Sequence, residues 1–164
     1  MTARPGNLSL RPLQPSDRRR VEEMTRGVGL FREDEIPVAM EVFDATAAAS
    51  DTYEGVGVDQ DGVLVGWASW GPVPCTLGTF DLYWIVVDPV RHGLGAGSLM
   101  VDEMERRVAG RARLICVETA GRTDYAATRG FYERRGYRAV AAIPDYYAPG
   151  DDQVTFVKVV SPES

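Results

Sequence analysis

Ile85-Val86-Val87-Asp88-Pro89-Val90-Arg91-His92-Gly93-Leu94-Gly95-Ala96-Gly97-Ser98 decides how this chain of 164 residues is read. A run of β-branched residues gives way to Asp-Pro, then to glycines spaced by single residues, and Leu99, Met100, Met104 and Val108 follow at helical spacing. The pattern predicts a strand that feeds a glycine-rich turn and then a helix from about Gly95 to Ala109. Such a turn can hold an anion. Glycines let successive backbone N–H groups converge without Cβ obstruction, and the helix start adds orphan donors and about half a positive charge. A tight strand-to-helix turn that binds nothing is the plain alternative.

A dinucleotide-binding loop is the sharper rival. Its G-x-G-x-x-G spacing would put a third glycine where Ser98 stands, and it wants an acid at the end of the next strand, which Glu118 supplies. Position tells against it, because that fold opens with this unit and needs more βα repeats than the remaining chain allows.

Outward from the loop, the element order is informative. Leu8 to Arg11 predicts a strand; Ser16-Asp17 has the N-cap chemistry to open a helix over Arg18 to Arg26, ended by Gly27 and Gly29. Ile36, Ala39, Met40, Phe43 and Ala47 place a helix over about Asp34 to Ala49. Tyr53 to Val58, Leu64 to Trp70 and Thr79 to Val87 have strand character, with a turn at Asp61-Gly62, and suggest an antiparallel meander. A strand at Ala112 to Glu118, a helix over Asp124 to Arg135 and strands near Tyr137 to Ala142 and Val154 to Val159 complete a mixed sheet. Asp102 with Arg106 and Glu103 with Arg107 are helix-supporting pairs. No linker divides the chain, so residues 1–164 are taken as a single domain.

Composition narrows the function classes. A net charge of -6 argues against general nucleic-acid binding, and the triplet Arg18-Arg19-Arg20 suggests a solvated helix face. No apolar run is long enough to span a membrane, and Met1 to Pro12 has no signal-peptide core, so no membrane partner and a cytoplasmic address are expected. Cys75 and Cys116 share no metal-ligand spacing in a chain with one histidine; they are expected to be buried free thiols, with no metal site. Lys158, the sole lysine, excludes a Walker-type G-K-[ST] and offers no Schiff-base chemistry near the loop.

Val87, Pro89, Gly93, Gly95 and Gly97 match the acetyl-CoA motif V-x-P-x-x-[RQ]-G-x-G-x-[GA], and Phe131-Tyr132-Glu133-Arg134-Arg135-Gly136-Tyr137 matches a second signature, [LF]-Y-x-x-x-G-[FY]. On these residues the chain resembles the GNAT superfamily of N-acetyltransferases from Leu8 to about Val159. His92 departs from the usual Arg or Gln, with Arg91 beside it, and Tyr125 stands where an asparagine often precedes the second signature. The resemblance implies an α/β fold of the α+β type: a mixed, mostly antiparallel twisted sheet of about seven strands flanked by about four helices, with a splay between strands 4 and 5 near Val86–Val87 and Val117–Glu118.

It also implies the chemistry. Acetyl-CoA is the co-substrate, its diphosphate held by His92, Gly93, Leu94, Gly95, Ala96, Gly97 and Ser98, and its pantetheine arm paired with Ile85, Val86 and Val87. Tyr125 and Phe131 complete that contact. An amide of Val86 or Val87 bonds the thioester carbonyl as charge develops there, and much of the acceleration comes from holding two reactants together. Tyr132 is the candidate acid for the departing thiolate, against the plain reading of a core tyrosine on an amphipathic helix. Asp81, which alternation sets on one face with Tyr83, Ile85 and Val87, and Glu118 are candidate bases, and each could equally be a solvated carboxylate.

For the acceptor, Pro144 to Asp152 is the suggestive stretch: Tyr146 and Tyr147 with Asp145, Asp151 and Asp152 in a proline-bounded loop could make an acidic, aromatic mouth for a cationic amine, or cap an ordinary hairpin. With Tyr83 these two tyrosines are the substrate-binding candidates. The loop resembles that of ribosomal-protein alanine N-acetyltransferases, so the partner expected is a small-molecule amine or a peptide N-terminus, with room left for a homodimer. A non-catalytic acyl-CoA sensor would use the same cleft.

Overall fold

The computed structural model describes residues 6–91 and 93–160; His92, assigned above to the coenzyme, lies outside the described residues. Seven strands and four α-helices follow one another as β1 (Leu8–Arg11), α1 (Arg18–Gly27), α2 (Glu35–Ala47), β2 (Glu54–Gln60), β3 (Val63–Pro72), β4 (Thr79–Val87), α3 (Ala96–Val108), β5 (Leu114–Ala120), α4 (Ala126–Arg134), β6 (Arg138–Ala148) and β7 (Asp151–Val159). The strands form a mixed sheet in the order β1-β2-β3-β4-β5-β7-β6. This is the α/β architecture expected from the sequence. Two compact units share it. The first takes in the described residues up to Gly71 with Trp84–Arg107; the second takes in Pro72–Tyr83 with the described residues from Val108 on.

In the first unit β1 and β2 run antiparallel, as do β2 and β3. Asp61 and Gly62 both have positive φ, 51° and 82°, as a two-residue hairpin turn between Gln60 and Val63 requires. Val21 and Met24 of α1 and Ile36, Ala39, Met40 and Phe43 of α2 bury against Leu64, Trp67 and Val86. Trp67 centres this core: it stacks on Trp84 at 6.3 Å, takes the edge of Phe43 at 5.8 Å, and donates its indole N–H to Thr25 Oγ1 at 3.2 Å. On α3 Met100, Met104 and Val108 are buried as the spacing predicts, joined by Val101, while Leu99 is only half-buried. Glu103 accepts from both Arg106 and Arg107 at 2.7 Å.

One capping expectation fails here. Asp17 does not cap α1 with its side chain. Its carboxylate turns back to the Gln14 amide at 2.8 Å and to the Arg11 guanidinium at 2.8 and 2.9 Å, where a charged partner outweighs a neutral amide.

In the second unit β4 pairs with β5 in parallel from Thr79↔Leu114 to Leu82↔Val117. The ladder ends there although β4 runs on to Val87 and β5 to Ala120, which is the expected splay. β5 is antiparallel to β7, and β7 to β6. Tyr132 of α4 meets Tyr137 at 5.6 Å and Phe156 of β7 at 6.2 Å.

Two sequence expectations are corrected in this unit. Pro144 to Asp152 is not a loop: β6 continues through Pro144 to Ala148, only Pro149-Gly150 turns, and β7 starts at Asp151. An edge strand tolerates a proline because no ladder donor is needed on its outer side. The cysteines are not both buried either. Cys75 is exposed in the turn between β3 and β4 at φ 62°, and Cys116 is half-buried on β5. Among the described residues no helix is long and apolar enough to cross a membrane.

Candidate active site

In the first unit the glycine loop leaves β4 under tight control. Asp88 donates its amide to the Val65 carbonyl at 2.8 Å; its Oδ1 accepts from the Val90 amide at 3.0 Å, and its carbonyl accepts from the Arg91 amide at 2.9 Å, closing a short 3-10 turn over Pro89–Arg91. Gly93 and Gly95 then adopt φ of 86° and 90°, where a side chain would strain the backbone, and a Cβ at either would meet nothing within 4 Å. The loop surface is open. Leu99 donates to the Gly95 carbonyl at 3.0 Å, so the amides of Ala96, Gly97 and Ser98 fall in the first turn of α3, where a helix offers its own donors no acceptor. Open glycines beside first-turn donors fit a diphosphate. Among the candidates for the pantetheine arm, Val86 is buried and Ile85 and Val87 are half-buried at the end of β4.

In the second unit Asp81 lies in register beside Cys116, and Glu118 follows two residues along the same face of β5. Burial raises the Asp81 carboxyl above the ordinary carboxylate range, and the charge of Glu118 raises it further. Burial also lifts the Cys116 thiol, with Asp81 and Glu118 adding to it. The charge of one candidate base thus makes the other, Asp81, hold its proton more readily.

Tyr132 is fully buried, and burial, with Tyr125 beside it, pushes its phenol well above the usual value. A phenol held protonated can donate a hydrogen bond and cannot act as a base. Tyr125 ends a short 3-10 turn as the N-cap residue of α4, with the Arg122 guanidinium 5.1 Å over its ring. Phe131 is half-buried, 5.2 Å from the Tyr132 ring and under the Arg135 guanidinium at 5.7 Å.

On β6 Tyr146 is exposed and meets Tyr147 edge-on at 5.0 Å. Tyr147 is half-buried, its phenol pushed up to about 12 by burial and then by Glu118, Tyr146 and Tyr125, while a hydrogen bond with Gln153 pulls the other way. The structure therefore groups Glu118, Tyr125 and Tyr147. The hairpin aspartates also have partners within the chain. Asp145 Oδ1 accepts from the Gly150 amide at 2.7 Å, Asp152 Oδ1 from the Asp145 amide at 2.9 Å, and Asp151 pairs with Arg122 at 3.1 Å. Tyr83, on β4, is exposed.

Residues 21–137 match the family described as acetyltransferase (GNAT) family. The chain belongs to the GNAT family. A blasticidin-S acetyltransferase from Streptomyces morookaense is 36% identical to this GNAT chain over 97 residues, 59% of this chain and 64% of that protein; the match thus spans less than two thirds of the relative's length. A crystal structure of a protein assigned to the GNAT family from Desulfovibrio desulfuricans superposes with a TM-score of 0.86 at 36% identity, covering 94% of this chain and all of that one. The ribosomal-protein-S18-alanine N-acetyltransferase of Escherichia coli shares the fold at a TM-score of 0.79 and 17% identity, covering 96% and 97% of the two chains. Two further GNAT-fold neighbours were crystallised with coenzyme A or acetyl-CoA.

Two arginines of this GNAT chain take partners that the sequence reading did not include. Arg20, read as part of a solvated face, bonds the Leu64 carbonyl at 2.9 Å and pairs with Asp88. Arg91, which stood beside the expected phosphate contacts, directs its guanidinium to Gln60 of β2. Both partners are remote in sequence, and no local pattern announces them. Among the described residues no cluster of His, Cys, Asp or Glu could hold a metal ion.

Proposed function

We propose that this chain is a single acetyltransferase domain that transfers an acetyl group from acetyl-CoA to a primary amine by direct attack in a ternary complex. The observation that carries the reading is the open Gly93–Gly95 turn directly ahead of the first-turn amides of α3, inside the stretch that matches the family. The turn, His92 and the amides through Ser98 hold the diphosphate, and Ile85 to Val87 take the pantetheine arm, with Tyr125 and Phe131 beside it. The amine nitrogen attacks the thioester carbonyl carbon, and an amide of Val86 or Val87 stabilises the oxygen. The C–S bond then breaks. Tyr132 donates a hydrogen bond to the departing thiolate, and Asp81, Glu118 or a water chain takes the proton from nitrogen.

How much base is needed depends on the acceptor. An α-amine of pKa about 7.7 costs under about 1 kcal/mol to deprotonate at neutral pH, and a lysine near 10.4 costs about 4 to 5 kcal/mol. Tyr83, Tyr146 and Tyr147 line the acceptor side in this proposal. The relative named for blasticidin S directs the first search to small-molecule amines, and peptide N-termini come second.

The test is to mix purified protein with acetyl-CoA and a panel of amines and follow acetyl-amine formation by mass spectrometry. Acetylation of at least one primary amine is expected; none across small amines, polyamines and peptides would defeat the reading. A non-catalytic acyl-CoA sensor is the second reading, favoured by the complete burial of Tyr132. It predicts coenzyme binding without product.

A further inference from the structure

We infer that Arg20 is a positioning residue for the coenzyme's diphosphate, acting through Asp88. The inference rests on the proposed acetyl-CoA-dependent transfer. Asp88 is the last residue before the turn that leads to Gly93, and it is 8% exposed. Its Oδ1 accepts from the Val90 amide at 3.0 Å and so shapes the first step of the loop. That shaping has an electrostatic cost, because a carboxylate held five residues ahead of the phosphate cradle repels the anion the cradle is built to take.

Arg20 answers this cost. Reaching from α1, it gives Nη2 to Asp88 Oδ2 and Nε to the Leu64 carbonyl at 2.9 Å. One guanidinium thus neutralises the loop's carboxylate and ties it to β3, whose Val65 carbonyl already holds the Asp88 amide at 2.8 Å. α1 also lies against the turn: a Cβ on Gly27 would stand 3.7 Å from Pro89 Cγ. Two other charges are near. Glu23 is 4.0 Å from Arg20 Nη1, and Arg91 also favours the charged form of Asp88 but spends a guanidinium N–H on Gln60. Burial raises the Asp88 carboxyl, yet the Arg20 and Val90 hydrogen bonds outweigh it and leave Asp88 ionised at neutral pH.

Without Arg20, an uncompensated charge near a dianion weakens binding about tenfold at surface-like dielectric. The experiment measures coenzyme A binding by calorimetry and pantetheine binding by NMR titration for wild type, Arg20→Gln, Asp88→Asn and the double variant. Asparagine can keep the Val90 bond without the charge. Arg20→Gln is expected to weaken coenzyme A about tenfold while leaving pantetheine, which has no diphosphate, within about twofold. Asp88→Asn alone should bind coenzyme A as tightly as wild type or tighter, and in the double variant it should restore most of the loss. Equal weakening of both ligands, an unaffected Arg20→Gln, or failure of Asp88→Asn to rescue would overturn the role. Should Arg20→Gln not fold, a weakened Asp88→Asn would overturn it alone. Wild-type protein that binds no coenzyme A would defeat the transferase reading itself.

Discussion

Replacing Tyr132 by phenylalanine removes one oxygen and leaves the ring where it packs, against Phe131 at 5.2 Å, Tyr137 at 5.6 Å and Phe156 at 6.2 Å. Fold stability should therefore change by no more than about 1 kcal/mol, the worth of one neutral hydrogen bond. The catalytic loss should be larger. An ordinary phenol already lies about 1.5 units above a thiol, so complete proton transfer to the thiolate is uphill by about 2 kcal/mol, and burial of Tyr132 widens that gap. The hydroxyl is thus expected to act as a hydrogen-bond donor to the leaving sulfur, and a bond to a charged group is worth about 1.5–3 kcal/mol. A fall in kcat of about 10- to 100-fold follows, with KM for acetyl-CoA nearly unchanged because the bond forms as the sulfur departs. Steady-state kinetics with acetyl-CoA and with thioesters of more acidic thiols would test it, since a better leaving group needs the donor less. An unchanged kcat, or a loss that ignores the leaving thiol, would refute the role; a Tm lower by many degrees would return Tyr132 to the core.

Three further outcomes follow from the second unit and its neighbour. Asp81 has a raised carboxyl pKa, so the folded state binds its proton more tightly than the unfolded chain does, and the stability it contributes declines as pH rises from the ordinary carboxylate value through the raised one. Asp81→Asn should therefore raise Tm at pH 7 and not at pH 3; if Asp81 is the base it should also slow transfer, and Glu118→Gln should then move the acidic limb of kcat/KM to lower pH, because it removes the repulsion that raises Asp81. Titration with a chromogenic disulfide should find one fast thiol, exposed Cys75, and one slow thiol, Cys116, whose pKa is raised by burial and its two carboxylate neighbours; two fast thiols would contradict the placement of Cys116. Gly55→Ala should cost at least about 1–3 kcal/mol in denaturant unfolding, because its Cβ would lie 2.5 Å from the Ala68 carbonyl oxygen and closer still to the Thr46 methyl; wild-type stability would show that the strand pair yields freely.

What could be read from the sequence was whatever chain neighbours determine. The Gly93–Gly95 turn, the Asp61-Gly62 hairpin and the buried stripe of Met100, Met104 and Val108 rest on local backbone freedom and periodicity, and the structure has all three. The bounds of β4, Thr79–Val87, also agree with the sequence. The failures share a cause, which is that a charged side chain chooses its partner in space. Asp17 had the right residue type for a cap and was claimed by Arg11; Arg20 had the right spacing for a wet face and was claimed by Asp88, 68 residues away. The Pro144–Asp152 stretch carries every breaker signal, yet all but Pro149-Gly150 is strand, with an irregular register between Ile143 and Ala148, because an edge strand tolerates the proline and Asp145 and Asp152 stitch the tip through backbone amides. The consequence for the site is specific. Asp145 and Asp152, which composition alone assigns to an acidic acceptor mouth, bond backbone amides at the hairpin tip, whereas Asp81 feels the charge of Glu118 across β4 and β5. Discrimination between acceptor amines should therefore respond to Asp81 and Glu118 more than to Asp145 or Asp152, although only the latter pair lies in a visibly acidic run.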